Sequence, residues 1–113
     1  MYSLSLNRIH DKVRINEGDE HLLLKVDGDP MRMVAGILQA QKLLQAINDD
    51  STDEQTHNAA QYFAEVIFGK EQTAKLFDFY RNDAGCVVSV CGKYFKERLS
   101  KILDKAQRKA GVK

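Results

Sequence analysis

Residues 20–34 read EHLLLKVDGDPMRMV, and within this stretch the spacing of apolar residues changes from two to nearly four. Leu22, Leu24 and Val26 fall on every second position, the period of a half-buried strand. Asp27-Gly28-Asp29-Pro30 then closes the strand and opens a helix. Asp29 is placed to accept from the first free N–H groups, and Pro30 sits where a missing N–H costs nothing. Beyond it Met33, Val34, Ile37, Leu38, Leu44 and Ile47 recur at helical spacing, predicting a helix over residues 30–47. One chain segment therefore commits to both kinds of secondary structure. The expected class is α+β.

Working toward the N-terminus, Val13 and Ile15 continue the alternation, and so do Leu4 and Leu6. Glu17-Gly18-Asp19-Glu20 is the turn between runs, so residues 1–28 are expected to form an antiparallel hairpin or a three-stranded meander. Such a sheet needs helices on its apolar face. Working toward the C-terminus, Asn48-Asp49-Asp50 breaks the first helix. Ser51-Thr52-Asp53-Glu54 has the S-x-x-E form of a capping box for the second. That helix is expected to bury Ala59, Tyr62, Phe63, Val66 and Ile67 and to stop at Gly69. A short third helix buries Leu76, Phe77 and Tyr80, with Asn82 as its stop and Asp83 as the cap of the fourth. The fourth is expected over residues 84–110. Its first part is apolar or small on nearly every side, as in a helix buried mid-fold, and its second is an amphipathic rod with Leu99, Ile102, Leu103 and Ala106 as its stripe. At 113 residues the chain is expected to form one domain, a small sheet (1–28) packed on a four-helix region (29–113).

Charge is unevenly spread. From Lys93 onward there are eight Lys or Arg against Glu97 and Asp104, whereas the first 92 residues hold fourteen carboxylates against nine Lys or Arg. A molecule polarised this way suits head-to-tail self-association or an acidic partner. No apolar run reaches the roughly 20 residues that span a bilayer, and the first residues lack the pattern of a secretory signal, which points to the cytoplasm.

The candidates for chemistry are sparse. His10, His21 and His57 are not spaced with other ligands as zinc sites require, so no metal and no cofactor is expected. Cys86 and Cys91 stand among valines, an apolar setting that suits core thiols. Asp27-Gly28-Asp29 resembles the opening of a calcium loop, but loop position 12 is Leu38 instead of Glu. No nucleophile–base pair stands out, and the expectation is a non-enzymatic interaction protein. Gly85, Ser89 and Gly92 form a small-residue strip that suits close approach of the first or third helix, with a subunit interface as the second reading. Phe77 and Phe79 are two apart and point to different sides, so either Phe68 or Phe79 is expected at the surface as a partner anchor. The contact positions expected are Phe79, Tyr94, Arg98 and Lys101. A second reading from another class is a small nucleic-acid-binding accessory protein using Lys101, Lys105, Arg108 and Lys109. That tail lacks interleaved aromatics and a phosphate loop, and a solvated helix face is the simpler account of it.

Residues 61–109 read QYFAEVIFGKEQTAKLFDFYRNDAGCVVSVCGKYFKERLSKILDKAQRK. Phe68-Gly69, then Phe79-Tyr80-Arg81-Asn82-Asp83, then Cys91-Gly92-Lys93-Tyr94-Phe95-Lys96-Glu97-Arg98-Leu99 make a pattern similar to small tail-module proteins of Gram-positive prophages. It resembles phage tail assembly chaperones or tail-tube accessory proteins over about residues 55–108. The resemblance implies a protein with no catalytic residues to carry over, whose partners are other tail proteins, above all a long, helical tape-measure-like chain; a cytoplasmic location and a homo-oligomer are the accompanying expectations.

Overall fold

The computed structural model describes residues 8–109, with side chains described up to Ala106. Strands β1 (Ile9–Glu17) and β2 (Glu20–Gly28) form one antiparallel hairpin, with Ile9 opposite Gly28 and Glu17 opposite Glu20. The described residues thus hold a two-stranded hairpin and not a meander; Leu4 and Leu6, the basis for a further strand, lie outside them. Gly18 takes φ +60° at the first central position of the turn, and Asp19 has no positive φ, the pattern of a type II′ turn. Alternation sends Ile9, Val13 and Ile15 inward from β1, with Leu22, Leu24 and Val26 from β2. Lys12, Arg14, Leu23 and Lys25 occupy the outer face.

Helix α1 (Pro30–Gln45) starts as its residues dictate: the Asp29 carboxylate accepts from the Met31 N–H at 2.9 Å and Pro30 leads the first turn. Helix α2 (Asp53–Phe68) is capped one residue later than the S-x-x-E pattern suggests. Thr52 accepts from the Gln55 N–H while the Gln55 side chain accepts from the Thr52 N–H. Ser51 instead accepts from the Asn48 N–H and shapes the turn. Helix α3 (Lys70–Phe79) ends where Arg81 and Asn82 enter the left-handed region, and the Asn82 N–H donates back to the Phe77 carbonyl at 2.7 Å. Asp83 caps α4 (Ala84–Tyr94) by accepting from the Cys86 N–H.

Helix α4 runs without a break through a π turn (Phe95–Leu99) into α5 (Ser100–Lys109). The rods therefore number four, as expected. The π turn has a physical reason. Val87, Cys91 and Tyr94 are buried at i, i+4 and i+7, but the next buried residues are Leu99 and Leu103, one position late for an unbroken α-helix. The extra residue is absorbed where the Ser100 N–H reaches back to the Phe95 carbonyl, and both apolar stripes face one core.

The helix buried in the middle is α2, not α4. Ala60 and Ala64 are fully buried, and Phe63, Ile67 and Phe68 pack among α1, α3, α4 and the hairpin. On α4 the strip of small residues does not receive another helix: Gly85 and Ser89 are exposed, and a Cβ at Gly92 would meet nothing within 4 Å. The close helix approach occurs at Gly36 of α1, where a Cβ would lie 2.7 Å from a Val66 methyl of α2. Cys91 is fully buried, and burial pushes its thiol up to about 12. Cys86 is half-buried, its thiol raised by burial first and then by Asp83.

Two side chains tie the hairpin to the helices. Gln72 of α3 lies along β2, its amide donating to the Lys25 carbonyl at 2.5 Å and accepting from the Lys25 N–H at 2.7 Å. The amide stands in for the peptide of a third strand and stops the sheet edge at that rung. The second tie is Asp11, described next.

Candidate functional site

Asp11 occupies an inward position of β1, in the same alternating series as Ile9, Val13 and Ile15, and its side chain is only 7 % exposed. A carboxylate there needs partners. Tyr94 donates its hydroxyl to Oδ2 at 2.7 Å; Arg98 donates Nε to Oδ2 at 2.6 Å and Nη2 to Oδ1 at 2.8 Å. The Arg98 fork holds the Asp11 carboxyl down to about 2, against the opposing effect of burial and with help from the Tyr94 hydroxyl and the Lys12 backbone N–H. Burial, then the Asp11 carboxylate, pushes the Tyr94 phenol up. This cluster joins residues 83 and 87 positions apart and fastens the hairpin to the helix at its π turn.

The four expected contact positions are thus not brought together as one surface. Tyr94 is 8 % exposed and committed to Asp11, as is Arg98. Phe79 is half-buried, edge-on to Tyr80 with ring centroids 5.1 Å apart. Phe68, its alternative as surface anchor, is buried. Lys101 is exposed on α5, and so is Lys105; the side chains of Arg108 and Lys109 lie outside the described residues. The amphipathic rod packs against the body through Leu103 of α5, which is buried in the common core.

The exposed apolar residues are elsewhere. Leu23, Met31, Leu38, Leu43 and Tyr62 are the large hydrophobic residues left at the surface among the described residues. Tyr62 and Leu38 were expected inward; each lies at the margin of its helix's apolar stripe, where a small step around the helix axis separates core from water. Leu43 and Tyr62 line a groove of about 480 Å³ at the α1–α2 turn, together with Ala46, Ile47, Ser51, Gln55, Asn58 and Ala59. Its surface is mainly apolar, which suits an amphipathic helix laying one face into it. Nothing in the sequence pattern distinguished this groove, because the same residues at the same spacing would serve as core.

Among the described residues no group of three or more His, Cys, Asp or Glu is placed to hold a metal ion, and no helix is long and apolar enough to cross a membrane. No family model, curated protein or solved structure matches the chain.

Proposed function

We propose that the chain is a non-enzymatic phage tail assembly protein, acting in the host cytoplasm, that binds an apolar helical stretch of a longer tail protein, tape-measure-like, in the α1–α2 groove. The observation that carries this reading is the groove itself: Leu43 and Tyr62 hold apolar surface open to water beside a recess that an inserted side chain would fill. The resemblance of residues 61–109 supplies the class of client.

The test is a nuclease-treated pull-down from prophage-induced cells with the chain as bait, run beside Leu43→Asp. The expected result is capture of a long, helix-rich tail protein by the wild type and at least tenfold less by the variant, since a carboxylate in the recess must be desolvated (roughly 2 kcal/mol or more). Equal capture by both proteins moves the client off this groove. Loss of all partners on nuclease treatment removes the assembly reading and favours nucleic acid on the exposed Lys101 and Lys105.

A further inference from the structure

The two ends of the α1–α2 pair carry exposed apolar residues with clusters of opposite charge beside them. At the hairpin end, a depression of about 700 Å³ between the outer face of the hairpin and the start of α3 is lined by Lys12, Lys25, Lys70 and Lys75, with Leu23 beside them. Leu23 is 67 % exposed. Lys12 and Lys25 sit directly opposite each other across the hairpin, a like-charge pair that a sheet does not favour by itself. Two carboxylates share the depression, and one of them, Asp27, is held by Arg8 at 3.5 Å and by His10 at 3.4 Å. None of the four lysines has an ion-pair partner among the described residues.

At the other end is the α1–α2 turn. Asp49, Asp50, Asp53 and Glu54 are all exposed there, next to the groove of Leu43 and Tyr62. Each helix of the pair is 16 residues long, which separates the two ends by roughly 24 Å. Thus one end presents an exposed leucine among four lysines, and the far end an apolar recess beside four carboxylates.

We propose that the chain self-associates head to tail, with Leu23 of one copy entering the α1–α2 groove of the next and the four lysines facing the next copy's residues 49–54. Because the two surfaces differ and lie at opposite ends, the contact is heterologous and repeats: each added copy leaves a fresh Leu23 and a fresh recess. The charges set orientation and speed of encounter, and Leu23 supplies the buried apolar area. The proposal stands on the exposed apolar residues and the charges and does not require the tail-client reading. If both hold, self-association and client compete for one groove.

The test uses the full chain in sedimentation velocity, from micromolar to submillimolar concentration, at low and high salt. Expected for the wild type is a mass that rises past the dimer with concentration and falls with added salt. Leu23→Lys removes the apolar anchor while adding to the positive charge of its end; Leu43→Asp spoils the recess while adding to the negative charge of its end. Each is expected to weaken association at least about tenfold, and an equimolar mixture of the two to stop at a dimer, since each retains one working end. Both positions are exposed or at the surface margin, and matching melting curves verify that the variants fold. A wild type that stays monomeric at low salt overturns the proposal, as does a closed dimer indifferent to both substitutions. A monomer that instead binds duplex DNA with steep salt dependence places nucleic acid on the lysines and also overturns it. Leu23→Lys is expected to leave client capture in the pull-down unchanged, so failure of self-association and failure of the client reading are told apart.

Discussion

Asp11→Ala is expected to lower the folding free energy by about 2 kcal/mol, read as a fall in Tm of roughly 5–10 °C. The substitution leaves the buried Tyr94 hydroxyl without its acceptor and releases the Arg98 fork, so the hairpin loses its polar tie to the helix. The same pair has a signature in acid. The Asp11 carboxyl lies at about 2 in the folded chain against an ordinary 3.8, so its contribution is complete above about pH 4 and is lost as pH falls toward 2. The size of the shift caps that contribution near 2 kcal/mol, and water around Arg98, whose side chain is 61 % exposed, screens it below the cap. Asp11→Asn keeps the shape and removes the charge, and should flatten the acid limb of stability between pH 4 and 2. Urea melts of the wild type and both variants across that range make the measurement. A loss below about 0.5 kcal/mol for Asp11→Ala would reduce the cluster to an ordinary surface ion pair.

Gly36→Ala runs against the usual rule. Exchanging a mid-helix glycine for alanine ordinarily stabilises by about 1 kcal/mol. Here the new methyl would lie 2.7 and 2.9 Å from the two Val66 methyls. Rotating Val66 offers little relief, because a β-branched side chain turned about χ1 brings one methyl in as it takes the other away. The helices must part, and the expected outcome is a loss of about 1–3 kcal/mol. In the double variant Gly36→Ala, Val66→Ala the clash is gone, and most of the loss should return as a positive coupling in a double-mutant cycle. Additive losses would mean that α1 and α2 have room to adjust.

Much of the fold is legible in the sequence wherever local chemistry and periodicity agree. Asp29-Pro30 and Asp83 mark helix starts because short side chains must satisfy the first N–H groups there, and Gly18 marks the turn because only glycine takes its φ freely. The four rods follow from apolar spacing. What is not legible depends on distance along the chain. Asp11 stands in an apolar alternation that does not single it out, its partners lie on another element, and no local pattern pairs them. Gln72 reads as an ordinary helical surface residue until β2 is laid beside it. The candidate groove was hidden for a related reason. Leu43 and Tyr62 carry the composition of core, and only the arrangement of α1 on α2 decides that they face water.

The π turn makes the chain tolerant of length in one direction only. It holds one residue more than a plain α-helix needs to carry the buried stripe from Tyr94 to Leu99. Removing an exposed residue such as Lys96 or Glu97 would put leucine four places after Tyr94, and the rod could close into regular α-helix with its apolar stripes still aligned. Adding a residue at the same place has no such escape, since the slack is already taken up. A shorter chain at this point is thus expected to keep the fold, and a longer one to disturb it.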